Sequence, residues 1–191
     1  MTKFSWILIS GFIMISARAL PATIEVGKNL PYVKVSTLGE VNLDGSHEKI
    51  VKYNEWDTKE LKGKVRTIQA IAGRLSARKM NKAFIAAVGK AHFDPDNYQT
   101  ATIVNLDDVI PLTGFLAKNG AEEAKKKHWS SLVVLDENGI AAKTWSLKPE
   151  SSAIIILNKQ GTVVFFKEGK MSSEDQRLAF NLIISELAKS E

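Results

Sequence analysis

Cysteine is absent from this sequence of 191 residues. Its absence excludes disulfide bonds, thiolate nucleophiles and zinc sites with thiolate ligands. Disulfide exchange and thiol-based peroxide reduction both need a thiolate, so the chain is neither a thiol-disulfide oxidoreductase nor a thiol peroxidase. A chain of this length can bury enough apolar surface to hold its fold without covalent cross-links.

Long hydrophobic runs are also scarce. The run at residues 4–15, broken by a few small or polar residues, is well short of the ~20 apolar residues that cross a bilayer as a helix. Lys3 precedes this run, and Ala17, Arg18 and Ala19 follow it, which is typical of a secretory signal and its cleavage site. We therefore predict a signal peptide at residues 1–19 and one exported domain at residues 20–191, with no membrane span after cleavage.

The sequence has no strong excess of charge of one sign. Its formal net charge is +5, and the loss of Lys3 and Arg18 with the signal leaves +3. The lysine run at residues 125–127 follows Glu122 and Glu123 at a spacing that favours ion pairs along a solvated helix face. This pattern does not predict a nucleic-acid-binding surface, which concentrates basic residues on one face.

Motifs for cofactors, metals and common hydrolases are missing as well. The sequence contains no G-x-S-x-G elbow, Walker loop, dinucleotide-binding glycine pattern or zinc-protease helix. His47, His92 and His128 lie in three separate segments without the spacing of metal ligands. We expect neither a metal site nor a cofactor.

Alternating strand and helix patterns begin at Lys64. Residues 65–72 predict a strand that ends at Gly73, and a helix capped by Ser76 follows it. Residues 100–106 predict the next strand, and a helix then runs to about Lys127. Two strand-helix units in succession indicate that these strands pair in parallel.

The second half of the chain predicts a central strand and its partners. Residues 153–157 are apolar at every position, as in a strand covered on both faces, and residues 162–166 predict an antiparallel partner. The Asn138-Gly139 pair predicts a hairpin that joins strands at residues 132–135 and 140–145. Ser173 and Gln176 predict a capping box that opens a last helix, and its expected buried stripe comprises Phe180, Ile183, Ile184 and Leu187.

Residues 25–60 form an extension before this α/β unit. Short strands are predicted at residues 32–35 and 39–43, and a helical turn or two within residues 56–61. The predicted fold class is therefore α/β: a thioredoxin-like central mixed sheet flanked by helices, with an N-terminal strand extension and an inserted hairpin.

Two segments resemble the thiol-peroxidase and cytochrome-maturation branch of the thioredoxin superfamily. They are residues 61–66, LKGKVR before a strand, and residues 153–161, AIIILNKQG. When residues 63–65 are registered on the redox pattern, the two reactive cysteines fall at about Leu75 and Arg78, and the usual cis-proline at about Ser152. None of these elements is present.

Three further sets of residues carry a closer resemblance: residues 69–74 with 76–77, residues 98–105 with 107–108, and residues 150–153. They resemble the YtfJ-type family of Gram-negative periplasmic proteins, and the resemblance extends over essentially all of residues 20–191. The resemblance implies a periplasmic location and a thioredoxin-like fold. It carries no established activity.

The loop at residues 73–79 is the leading candidate for a ligand site. Gly73 allows a tight turn, Ser76 is expected to cap the helix, and Arg74 and Arg78 could bind a carboxylate or phosphate beside the free backbone N–H groups of the helix start. Ser152, predicted at the start of a neighbouring strand, could add a hydroxyl donor. The alternative is that both arginines are solvated surface residues.

Asp107 and Asp108 follow a parallel strand at the same edge of the sheet, where ligands collect in open α/β folds. They could tune an acid-base site with Arg74 and Arg78, or they could form ion pairs that only fix the loops. We therefore expect a binding or interaction module for a periplasmic protein or a small anionic ligand, both unidentified. The alternative is a cysteine-independent enzyme that uses these four residues.

Overall fold

The computed structural model describes residues 23–43 and 50–189. The predicted signal peptide, residues 1–19, lies outside the described residues. Within the described residues, seven strands form one sheet: β1 Lys34–Leu43, β2 Ile50–Asp57, β3 Val65–Ala72, β4 Tyr98–Asn105, β5 Leu132–Asp136, β6 Ser152–Leu157 and β7 Val163–Glu168. The same part of the chain has five α-helices that flank the sheet: α1 Leu75–Met80, α2 Lys82–Lys90, α3 Gly114–Lys127, α4 Ile140–Thr144 and α5 Ser173–Ala188, with a 3₁₀ turn at Thr58–Leu61.

The centre of the sheet consists of β3 and β6, in which every residue is buried. β3 pairs in parallel with β4 and antiparallel with β6, and β4 pairs in parallel with β5. The strand order is β2-β1-β5-β4-β3-β6-β7. This mixed sheet flanked by helices confirms the predicted α/β class, and it brings the ends of β3, β4 and β5 to one edge of the sheet.

The N-terminal extension adds two strands to this sheet. β1 pairs antiparallel with β5 on one side and with β2 on the other. The two short strands predicted at residues 32–35 and 39–43 are one long strand, bent at Leu38 and Gly39, which both have a positive φ. The extension is therefore part of the main sheet.

The predicted hairpin is wrong, because residues 140–144 form helix α4 rather than a strand. Gly139 has the left-handed conformation (φ 63°) that the Asn-Gly pair predicts, but the turn leads into a helix. The carboxylate of Asp136 accepts hydrogen bonds from the N–H groups of Ile140 and Ala141, 2.9 and 2.8 Å long, and so satisfies the first amides of α4.

Two predicted helix caps are also displaced. Ser76 lies inside α1, whose N-cap is Arg74 and has no side-chain cap. Helix α5 is opened by a capping box of Ser172 and Asp175, one residue before the predicted pair. Of the predicted stripe on α5, Ile183 is fully buried and Ile184 faces solvent, 47% exposed.

Candidate functional site

Gly73 joins the end of β3 to the end of β4. Its N–H donates to the carbonyl of Asn105 over 2.8 Å. A Cβ at this position would lie 2.5 Å from Cγ1 of Val109 and 2.8 Å from the Asn105 carbonyl oxygen. Only glycine fits here, so the loop is pinned against the turn that follows β4.

Arg74 and Asp108 form the ion pair at the centre of this edge. The Arg74 Nε donates to Asp108 Oδ1 over 2.7 Å, and its Nη1 lies 3.1 Å from Oε1 of Glu150. The other carboxylate oxygen of Asp108 accepts from the backbone N–H of Glu150 over 2.6 Å. The side chains of Arg74 and Asp108 are only 22% and 14% exposed, so this cluster ties three loops together.

The other predicted charged residues point away from that cluster. Asp107 is half exposed and pairs with Lys143 of α4 over 2.8 Å. Arg78 is exposed and lies over Gly120 of α3, where an added Cβ would come within 2.9 Å of its Nη1. Arg74, Arg78, Asp107 and Asp108 thus share an edge of the sheet but do not converge on one point.

The two predicted serines have different environments. Ser76 is exposed on α1, whereas Ser152 is buried and its hydroxyl accepts from Nδ2 of Asn81 over 3.2 Å. Asn81, buried between α1 and α2, also donates to the Gly169 carbonyl and accepts from the Met171 N–H. Ser152 therefore belongs to a polar network that ties the helix pair to β6 and to the loop before α5.

A small cleft opens beside the Arg74–Asp108 pair. Its floor is largely apolar, and its polar wall is formed by Asn105, Asp108, Asp136, Lys148, Ser151, Ser152 and Glu168. The empty space is about 350 Å³ when the solvent at its mouth is included, so the enclosed part is smaller than a typical site for a small molecule. The cleft joins Asp108 and Ser152, and Arg78 does not line it.

Asp136 is a wall residue whose pKa is shifted by burial. Its side chain is fully buried, and burial raises its pKa, an effect that the N–H groups of Ala141 and Ile140 partly offset. Sequence reasoning places Asp136 in a hairpin turn and misses it as a helix cap. The available signal is an aspartate four residues before an alanine-rich stretch, a position from which it can reach the first amides of a helix.

Glu150 and Lys143, the partners of Arg74 and Asp107, are also missed by sequence reasoning. Both lie on segments whose position depends on the tertiary fold. In residues 23–43 and 50–189 no group of three or more histidine, aspartate or glutamate side chains could hold a metal ion. Over the same residues, no helix is long and apolar enough to cross a membrane.

The sequence matches the model of a family described as bacterial protein of unknown function (YtfJ_HI0045) over residues 24–186. An uncharacterized protein of Haemophilus influenzae strain Rd is 40% identical over 176 residues, which cover 92% of this chain and 94% of that protein. The uncharacterized protein YtfJ of Escherichia coli K12 is 39% identical over 160 residues, or 83% and 85% of the two chains.

Solved structures share the fold at low sequence identity. The thioredoxin domain of a thiol-disulfide oxidoreductase from Bacteroides vulgatus matches with a TM-score of 0.53 and 14% identity, and the match covers 85% of this chain and 99% of that domain. The fold is therefore thioredoxin-like, while the absence of cysteine excludes the thiol chemistry named for that protein.

Proposed function

The chain belongs to the family of bacterial proteins of unknown function YtfJ_HI0045, and on that premise we propose that it is an exported, periplasmic binding or interaction module. It works without thiol redox chemistry, and its ligand face is the edge of the sheet where β3 and β4 end. The ligand is a small anion or an anionic group on a periplasmic protein. The signal-like pattern of residues 1–19 supports export.

The proposal rests on the different environments of the two arginines at this edge. Arg74 is already paired with two carboxylates. Arg78, at one of the positions where the redox pattern has cysteine, is exposed, and no carboxylate of residues 23–43 or 50–189 lies within ion-pair distance of it. An exposed cation that is not held in an ion pair among these residues favours binding of an anionic group at this edge.

The same geometry favours a binding module over a cysteine-independent enzyme. General acid-base catalysis needs the acid and the base within hydrogen-bond reach of one reacting group. Asp108 is held by Arg74 and by the Glu150 amide, while Asp107 pairs with Lys143 outside the cleft. Arg74, Asp107 and Asp108 therefore support loop structure, and the four residues of the enzyme alternative share no reaction centre.

Thermal unfolding with a panel of sulfate, phosphate and small carboxylates tests the binding role. A one-site ligand at a hundred times its dissociation constant stabilises a protein by about 2.7 kcal/mol, and we expect at least one anion to raise the Tm beyond chloride at equal ionic strength. Arg78→Ala should remove that increase, while Arg74→Ala should also lower the Tm without any ligand. If no anion changes the Tm of wild type or of either variant, anion binding is contradicted and the two arginines have only a structural role.

Mass spectrometry of the protein recovered from cells tests export separately. We expect the N-terminus at Leu20 or within a few residues of it, because Ala17 and Ala19 supply the small residues of a signal-peptide cleavage site. The periplasmic fraction should contain this shortened chain. Intact Met1 in the cytosolic fraction would contradict export and would leave the binding test unaffected.

A further inference from the structure

Exposed apolar side chains are concentrated around one loop of this protein. Of the eleven large apolar side chains that are exposed in the described part of the chain, five lie at the start of α1 or between β4 and the first turn of α3. They are Leu75 (62% exposed), Ile110 (50%), Leu112 (94%), Phe115 (62%) and Leu116 (57%). We call these five residues the apolar tip; such a concentration on a protein surface marks an interaction site.

Contacts between α1 and α3 place the two parts of the apolar tip side by side. Gly73 lies against Val109 and Ala117, on either side of the loop. Arg78, one turn after Leu75 in α1, lies over Gly120, one turn after Leu116 in α3. Residues one turn apart share a face of a helix. Leu75 and Leu116 therefore lie on either side of the contact between α1 and α3.

Leu112 combines two unfavourable features, a positive φ and a highly exposed apolar side chain. It is the third residue of a turn closed by the hydrogen bond from the Thr113 N–H to the Ile110 carbonyl, and its φ is 67°. After a proline at the second position, such a turn strongly favours glycine or asparagine at the third. A leucine held there and 94% exposed costs the folded state both backbone strain and exposed apolar surface, as residues retained for function do.

The surroundings of the apolar tip are basic. Residues 73–93 and 109–121 contain no aspartate or glutamate and six arginines and lysines, although two aspartates precede and two glutamates follow the second segment. Arg74 is already paired with Asp108 and Glu150, which leaves five basic residues. Arg78, Lys79 and Lys82 are exposed and follow Leu75 within α1 and the start of α2. An exposed apolar tip beside cations complements a surface with negative headgroups above an apolar interior.

We propose that this face binds the surface of a bilayer that contains anionic phospholipid, with Leu112, Phe115 and Leu116 entering the interface and Arg78, Lys79 and Lys82 contacting the headgroups. A protein partner with a matching groove is the less favoured occupant, because the most exposed residue protrudes from a turn, as in membrane-inserting loops, and basic residues flank it. The inference goes beyond the proposed function: it shares Arg78 with the proposed anion site, and its other residues lie outside the cleft. Binding is weak and reversible, since a few side chains and charges give far less affinity than a spanning helix.

Sedimentation of residues 20–191 with lipid vesicles tests the proposal. We expect the protein to sediment with vesicles of phosphatidylcholine and phosphatidylglycerol at low salt, and far less with phosphatidylcholine alone. Leu112→Gly should lower the partition coefficient about tenfold, because it removes one inserted leucine side chain. The same change relieves the positive φ and should leave the Tm unchanged or higher, so loss of binding cannot be attributed to unfolding.

Two further variants distinguish binding by this face from non-specific adsorption to lipid. Leu178→Ser removes a comparably exposed leucine of α5, 52% exposed, and should bind as wild type. A double variant, Lys79→Gln with Lys82→Gln, should lower binding to phosphatidylglycerol vesicles and leave the binding of free phosphate unchanged, which separates this face from the anion site. Equal binding by Leu112→Gly and wild type, no sedimentation of wild type, or self-association that Leu112→Gly abolishes without lipid would each overturn the proposal.

Discussion

Asp136 shows how one side chain decides the local fold. It ends β5 with no exposed surface, and its two carboxylate oxygens accept from consecutive amides at the start of α4. These contacts satisfy N–H groups that would otherwise be unpaired at the helix start. Burial nevertheless raises its pKa above the usual value, so the charged form is less favourable in the folded state than in the unfolded chain.

The first prediction follows from the sign of that effect. A carboxyl group whose pKa is raised by folding contributes stability that is fully present below its unfolded value, near 3.8, and that is lost as the pH rises through the folded value. Urea unfolding of wild type and Asp136→Asn should therefore show a stability difference that moves against wild type as the pH rises from about 3. Each tenfold difference in proton affinity is worth about 1.4 kcal/mol.

The two chains differ only at this group, so their other carboxylates cancel in the comparison. The difference should level off once the pH exceeds the folded pKa of Asp136. A difference that grows in favour of wild type as the pH rises would contradict the prediction. It would mean that the amide donors lower the pKa more than burial raises it.

The candidate site could be predicted from the sequence only in part. Gly73, Arg74 and Asp108 are predicted to share one edge of the sheet because each follows a strand of a parallel pair, and they do lie there. That Glu150 completes the ion pair could not be predicted, because its position depends on the loop before β6. Arg78 and Asp107 lie at the same edge but face other elements, an orientation that the spacing of residues in the sequence does not determine.

At the level of elements, strands that are buried on both faces could be predicted from the sequence. The element that follows a local turn could not. The prediction for β3 matches the structure residue for residue, and that for β6 differs by one residue. In β6 the unbroken apolar run at residues 153–157 leaves little choice of conformation. The Asn138-Gly139 turn is compatible with a hairpin and with a helix start, since both use a left-handed glycine. Here the contact of Asp136 with α4 selects the helix.

Gly39 shows how one glycine shapes a whole strand, because it allows β1 to bend and to pair with both β2 and β5. It has φ 77°, and a Cβ there would lie 2.1 Å from the carbonyl oxygen of Asn54 in β2. The pairing register of β1 and β2 shifts across this residue, between Val35 and Glu40. The bend therefore depends on both the conformation and the small size of glycine.

The second prediction separates these two requirements. Gly39→Ala should lower the free energy of unfolding by about 3 kcal/mol, because it adds a backbone clash to the strain of a positive φ. Gly169→Ala is the matched control, with φ 84° and no atom within 4 Å of the added Cβ, and should cost only about 1 kcal/mol. Urea unfolding measures both, and equal losses would show that the approach to Asn54 is not limiting.

For the whole molecule, the question is whether the N-terminal extension folds as part of the domain. Val35 and Trp56 of the extension lie in one apolar cluster with Ile68 of β3 and with Trp145, which follows α4. The indole N–H of Trp145 also donates to the Pro31 carbonyl over 3.0 Å. Because these contacts join the extension to the central sheet, its strands cannot unfold without exposing the core.

The third prediction is that residues 20–191 unfold in one cooperative step. Trp56 and Trp145 are both 1% exposed, so their fluorescence reports on the extension and on the segment after α4. In Trp145→Phe the change in buried tryptophan signal comes from Trp56, and in Trp56→Phe it comes from Trp145. Within each variant, the urea midpoint by fluorescence should coincide with that by far-UV circular dichroism, the criterion of a two-state transition. A Trp56 transition that precedes loss of circular dichroism would instead show that β1 and β2 unfold separately.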